Sequence, residues 1–226
     1  MTYAAIAAAL LMLGAPRVAP AQALDAEAMM DKAAAAHTAL RSLKVVFEQV
    51  IQNPLTGSSV ASRGDLLQKG ARLLAIKFSQ PKGDAIISDG LAVWIYLPSS
   101  TPGQVFRLPL GERLSGIAAS VDVLGQFFTK PRERYEVKDA GVSPIDGRDA
   151  RALILTPKRG QDATFVRAVV WVDAKSGYLR QFETTDGSGL VRTVKVVRFG
   201  ANAKISDTEF RFVPPAGVRV VEQPGG

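Results

Sequence analysis

Between Gly64 and Tyr96 apolar and polar residues alternate in short runs that are broken by turn-forming residues. Positions 72, 74, 76 and 78 are Arg, Leu, Ile and Phe, while 73, 75 and 77 are Leu, Ala and Lys. Successive side chains of a strand point to opposite faces, so Leu74, Ile76 and Phe78 share one strongly apolar face. Lys69-Gly70 supplies the positive-φ residue of a short hairpin, which pairs Leu66–Gln68 with Arg72–Phe78. Ser88-Asp89-Gly90 is a second turn, followed by the nearly unbroken apolar run Leu91–Leu97. The segment reads as a meander of strands with apolar inward faces.

The strongest helical periodicity lies before it, over Leu24–Leu43. Met29, Ala33, Ala36, Leu40 and Leu43 recur at spacings of four and three and form one stripe. Asp25 suits the N-cap, Glu27 the positive end of the helix dipole, and Arg41 and Lys44 the negative end. Val45–Ile51 reads as the first strand and Pro54–Ser59 as a loop. A second helix is predicted over 112–129, where Leu114, Ile117, Val121, Leu124 and Phe128 keep helical spacing until Pro131. Ser115-Gly116 and Gly125 interrupt it, and each helical Gly costs about 1 kcal/mol relative to Ala. Periodicity leaves open whether it is an ordinary core helix or a weakly formed, movable cover.

Strand patterns fill the remainder at 104–108, Tyr135–Lys138, Asp149–Thr156, Thr164–Asp173, Leu179–Thr185, Leu190–Phe199 and Glu209–Val213. Val218–Val221 is a candidate final edge strand beyond Pro214-Pro215. Short strands with hairpin turns between them predict one antiparallel meander rather than a parallel sheet. Such a sheet must cover its apolar face. Two helices leave more apolar sheet than they obviously fill, so the residues alone allow either a packed β-sandwich core or a ligand cavity.

The amino terminus adds a cellular address. Ala4–Gly14 is an apolar run of signal-peptide length, and Ala21-Gln22-Ala23 has the small-x-small form of a cleavage site. Residues 1–23 are therefore expected to be a signal peptide cleaved after about Ala23, leaving 24–226 as a single domain. The run is shorter than the roughly 20 residues a spanning helix needs. With no cysteine in the chain there is no disulfide, thiolate metal site, thiol nucleophile or lipidated cysteine. The exported protein is thus expected to be soluble. The formal charge of +7 at pH 7 falls by one when Arg17 is removed. The basic residues are scattered rather than gathered on one element, which argues against nucleic acid. The tightest group, Lys130, Arg132 and Arg134, reads as a solvated turn.

Catalytic constellations are missing. His37 is the only histidine and lies among alanines, where it reads as an exposed polar position. No Gly-x-Ser-x-Gly elbow, phosphate loop or dinucleotide fingerprint occurs. One His without Cys makes a poor zinc set. Asp186-Gly-Ser-Gly189 reads as a hairpin turn rather than a calcium loop, since the later acidic ligand is absent. A non-enzymatic protein without cofactor or metal is expected.

An ordered set of motifs runs through the chain: Phe47-Glu48-Gln49, Gly64-Asp-Leu66, Gln80-Pro81, Ser88-Asp-Gly90, Trp94-Ile-Tyr96, Leu155-Thr-Pro157 and Phe210-Arg-Phe212-Val-Pro-Pro-Ala-Gly-Val218. In order and spacing it resembles the outer-membrane lipoprotein carrier proteins of the LolA family. The resemblance implies a mainly β fold with a few helices, an incomplete antiparallel β-barrel (half-barrel) covered by lid helices. It implies a hydrophobic cavity for the acyl chains of lipoproteins crossing the periplasm. They would be received from an inner-membrane lipoprotein-releasing ABC complex and passed to an outer-membrane lipoprotein receptor, with the carrier acting as a monomer. Leu66, Leu74, Ile76, Phe78, Trp94, Tyr96, Val121, Leu124 and Phe128 are the candidate cavity residues. Family members commonly carry an Arg-Pro pair whose Arg holds the cover shut; here Gly70-Ala71 stand there, making the flanking Arg72 and Lys69 the candidate latches. These departures keep open a paralogue that binds another lipid. A sensor of an inner-membrane regulator is the further alternative, although the regulator type carries another domain after the barrel.

Overall fold

The computed structural model describes residues 26–110, 124–161 and 163–222. Helix α1 (Ala26–Thr38) opens the described chain. Strands β1 (Ser42–Asn53), β2 (Ser58–Lys69), β3 (Leu73–Gln80), β4 (Ala85–Asp89), β5 (Ala92–Tyr96) and β6 (Gln104–Pro109) follow. Two single-turn helices, α2 (Gly125–Phe128) and α3 (Pro131–Arg134), come next. The chain then forms β7 (Tyr135–Val142), β8 (Ala150–Pro157), β9 (Arg167–Asp173), β10 (Leu179–Thr185), β11 (Val191–Ala201) and β12 (Arg219–Glu222). All twelve strands form one sheet in the order β12-β6-β5-β4-β3-β2-β1-β11-β10-β9-β8-β7. The sheet is open, with β12 and β7 at its edges, and so forms the incomplete barrel that the motif order implies.

Several boundaries differ from the periodicity. The first helix ends at Thr38, and Leu43 is buried on β1 instead. Leu43 satisfies both periods: it lies three residues after Leu40 and two before Val45. The β-branched run that follows settles the choice in favour of strand. Leu114, Ile117 and Val121 lie outside the described residues, as do Asp25 and the whole 1–23 segment. Only the end of the second predicted helix, α2, falls within them. Strand β12 runs parallel to β6, with Val220 opposite Val105, so the meander is not antiparallel throughout.

Register determines which residues share a face. Leu66, Ile76, Ile86 and Ile95 form one row across β2–β5, and Val45 extends it to β1. In the next row Phe47 and Phe78 flank Gly64, and their rings meet edge to face at 5.8 Å. A Cβ on Gly64 would stand 2.6 Å from the Lys77 carbonyl oxygen and 3.1 Å from the Phe47 ring. The glycine of Gly-Asp-Leu therefore leaves space for two aromatic rings above a tight strand pair.

These strands are apolar on their other face as well. Leu67, Ala75 and Ile87 form a smaller outer core that Phe210 covers, with Phe212 packed beside it. The expected strand over Glu209–Val213 is absent; Asp207–Phe210 is a single 3-10 turn. Its N-cap Ser206 accepts from the Thr208 amide. Asp207 pairs with Lys69 and Glu209 with Lys77, each at 2.6 Å. A strand would send alternate residues away from the sheet, whereas the turn inserts Phe210 into it. Replacing Phe210, only 1 % exposed, with Ala is expected to cost about 3 kcal/mol. Thermal or urea unfolding will measure it.

Candidate functional site: an apolar cavity beneath the helices

The inner face of the sheet carries a cavity of about 340 Å³. Val45 and Phe47 of β1, Leu66 of β2, Ile76 and Phe78 of β3 and Ile86 of β4 form one side. Leu179 and Phe182 of β10 and Val194, Val196 and Phe199 of β11 form the other, with Leu124 beside α2. Gln49 and Arg192 are the two polar residues among the described residues of the lining. The volume lies at the lower end of ordinary ligand pockets, which are mostly apolar with a few polar groups.

The cover is held by aromatic packing and a small number of polar ties. Phe127 of α2 packs on Phe182 and Phe165, with ring centroids at 5.0 and 5.7 Å, and Tyr135 stacks on Phe165 at 5.6 Å. The Tyr135 hydroxyl donates to the Gln126 carbonyl at 2.6 Å, and Arg134 donates to the same carbonyl. Burial raises the Tyr135 hydroxyl above its ordinary range, against an opposing pull from Arg134, so it remains a donor. Arg132 of α3 bonds Asp31 at 2.9 Å and Glu27 at 2.8 Å, joining α3 to α1. The hydrogen bond from Arg132 holds the Asp31 carboxyl below its ordinary range. Arg132 and Arg134 are thus ties between the helices, while Lys130 stays solvated and pairs with Glu133 of its own turn.

The β9–β10 hairpin seats α1. Lys32 donates to the Ala174 carbonyl at 2.7 Å. Gly177, at φ +77, is so close that a Cβ would meet the Lys32 carbonyl at 3.0 Å. Asp173 shapes this turn by accepting from the Lys175 and Ser176 amides, the Ser176 hydroxyl and the Arg180 guanidinium. Although near the surface, Asp173 is enclosed by its own turn and is only 7 % exposed. Desolvation opposes its ionisation, but the bonds from Ser176 and Arg180 prevail and hold the carboxyl at about 2.

The predicted cavity residues separate into groups. Leu66, Ile76, Phe78 and Leu124 line the cavity. Leu74 is buried in the surrounding core, and Phe128 packs there against the His37 ring at 5.5 Å. His37 is accordingly half-buried rather than exposed. Trp94 and Tyr96 belong to the opposite face. Their partners across the sheet are Ile87 and Ala85, and both rings pack on Phe212, at 5.5 and 5.7 Å. The β5 residues that face inward are Val93 and Ile95. Lys69 also points outward, to Asp207. Arg72 is exposed at the β2–β3 turn, and its Nε donates to the Gly90 carbonyl at 3.1 Å, joining two hairpin turns. Gly70 and Ala71 border a second, more polar hollow of about 280 Å³, which His37, Arg41, Gln68 and Thr129 also line.

Period-two alternation could have found Val45 and Phe47 on β1 and the Arg192-Val194-Val196 series on β11. Leu179 and Phe182 were less accessible, because the register shifts between Leu179 and Gln181. Among the described residues no group of three acidic, His or Cys side chains is placed to hold a metal.

Residues 38–213 match the family model of the outer membrane lipoprotein carrier protein LolA. The chain belongs to this family. An outer-membrane lipoprotein carrier protein from Chromobacterium violaceum is 28 % identical over 221 residues, spanning 98 % of this chain and 95 % of that one. One from Methylibium petroleiphilum is 27 % identical over 180 residues, with 80 % and 82 % covered. Among solved structures, an uncharacterized conserved protein from Thermus thermophilus superposes with a TM-score of 0.55 at 14 % identity, covering 88 % of this chain and 99 % of that one. At that identity the likeness concerns the fold alone.

The Asp173 turn gives a pH dependence of defined sign. A carboxyl depressed from 3.8 to about 2 adds stability that is fully present above about pH 4 and is lost as the pH falls towards 2. The contribution is about 2 kcal/mol. Asp173→Asn is expected to melt below the wild type at pH 7, with the difference narrowing towards pH 2. Melting curves of both proteins across that range provide the check.

Proposed function

We propose that this protein is a periplasmic carrier that takes the acyl chains of lipoproteins into the cavity between its sheet and helices. It receives them from an inner-membrane releasing complex and delivers them to an outer-membrane receptor. The observation that carries this reading is the cavity wall, in which apolar side chains from β1–β4, β10 and β11 converge and, among the described residues, only Gln49 and Arg192 are polar. Family membership supports it.

The chemistry required is sequestration rather than turnover. Each buried CH₂ contributes about 0.8 kcal/mol, so a long acyl chain does not leave freely into water. The carrier must offer comparable burial and then give it up at the receptor. Phe47, Phe78, Phe182 and Phe199 provide broad, adaptable contact surface for chains. Movement of the cover is cheap where its ties are weak. The Arg132 pairs to Glu27 and Asp31 are about half-exposed on both sides, and pairs of that kind contribute about 0–1 kcal/mol each. The Phe127 cluster, being apolar, can exchange ring contacts for acyl contacts without stranding a polar group.

Two substitutions on β3 separate cavity from core. Phe78 is half-buried at the cavity wall, whereas Leu74 is 1 % exposed within the packed core. Phe78→Glu places a carboxylate where chains lie, at a cost of several kcal/mol to bound lipid. It is expected to melt near the wild-type temperature while losing acylated lipoprotein in a release assay from inner-membrane vesicles. Leu74→Glu is expected to unfold the domain. Undiminished lipoprotein uptake by a folded Phe78→Glu protein would overturn the carrier reading, and capture of a single membrane regulator without lipid would favour a sensor.

A further inference from the structure

The polar residues of the cavity lie together. Gln49 is opposite Val194, and Arg192 is two residues further along β11, which makes the two diagonal neighbours across β1 and β11. Arg192 itself stands opposite Ile51 and Thr184, beyond the last buried pair, Val194 and Phe182. It therefore sits at the rim, where the apolar wall meets water.

Among the described residues Arg192 has no hydrogen bond or ion pair through its side chain. Thr193 and Lys195 turn to the other face of β11, and there Glu183 faces Arg167 at 3.8 Å and Asp146 bonds Lys195 at 2.7 Å. Asp186 accepts from the Ser188 amide and hydroxyl and from the Leu190 amide within its own turn. Gln49 is fixed by donating to the Ser62 hydroxyl at 3.0 Å. Arg192 is exposed to water, although the protein around its guanidinium still partly desolvates it. That desolvation lowers its guanidinium from the ordinary value, with Asp186 acting in the opposite sense. An arginine remains charged under these conditions. Among the described residues no carboxylate bonds or ion-pairs with this cation, and Asp186 acts on it only at a distance, so it is suited to an anion brought by the ligand.

Resting on the reading that the cavity takes acyl chains, we propose that Arg192 selects amphiphiles with an anionic oxyacid head, whose chain lies on the Val194–Val196 wall and whose carboxylate or phosphate is held by the guanidinium. The planar fork of donors matches two oxygens of either head. A neutral alcohol or glyceride head accepts hydrogen bonds but leaves the charge uncompensated.

Calorimetric titration of the protein with laurate, lauryl phosphate and glycerol monolaurate, each below its micellar concentration, tests this. The wild type should bind at least one anionic amphiphile about tenfold more tightly than the monolaurate. Comparison of laurate with lauryl phosphate separates a carboxylate head from a phosphate head. In Arg192→Gln the anionic advantage should fall to nearly one in a protein that still melts cooperatively. Arg192→Lys should retain part of the advantage, and higher salt should reduce it in the wild type. Equal affinities for all three amphiphiles, or an anionic preference that survives Arg192→Gln, would overturn the assignment and leave the cavity reading intact. Failure of all three to bind would overturn both.

Discussion

A sheet of twelve strands has two faces, and an open sheet cannot exclude water from either by closing on itself. The inner face here is kept from water by rows of cross-strand neighbours, Leu66-Ile76-Ile86-Ile95 and Phe47-Gly64-Phe78, lying beneath short helices. A slip of one residue in any pairing would turn such a row outward. The rows are fixed because the same strands also have an outer core. Leu67, Ala75 and Ile87 must meet Phe210 at the same time as their neighbours meet the cavity. Gly64 permits the closest of these approaches, since any side chain there would strike the Lys77 carbonyl. The cavity, the outer core and the path of the carboxyl-terminal segment all follow from this two-sided burial.

The two coverings are built differently. On the outer face a continuous segment is fastened by Phe210, by a capped 3-10 turn and by the Lys69–Asp207 and Lys77–Glu209 pairs. On the inner face α2 and α3 are single turns, too short to be stable by themselves. Their positions depend on ring packing around Phe127 and on the exposed Arg132 pairs. Helix α1 is the firmer part because the Asp173 turn holds it through Lys32 and Gly177. A strong seat for one helix and weak ties for the others give the cavity a cover of uneven firmness. Among the described lining residues the polar ones, Gln49 and Arg192, lie together at one end of the apolar wall.

Much of this was legible in the order of residues. Alternation placed Leu74, Ile76 and Phe78 on one face, and the Lys69-Gly70 and Ser88-Asp-Gly90 turns placed β2 to β5 as a meander. Those features depend on residues close together in the chain: the strand repeat of two and the positive φ that Gly70 and Gly90 adopt. The ordered motifs likewise indicated the family before any contact was known. Trp94 and Tyr96 show where local information stops. On β5 the residues of both parities are apolar, so alternation establishes that Trp94 and Tyr96 share a face without showing which face it is. Only pairing to Ile87 and Ala85, and the return of Phe212 from more than a hundred residues away, turned them outward. The same long-range contact made Glu209–Val213 a turn instead of a strand, because inserting Phe210 outweighed a weak local strand preference. Arg192 looked like any polar position in an alternating strand. Its place at the rim of an apolar cavity was decided by the folding of β1, β10 and β11 against one another.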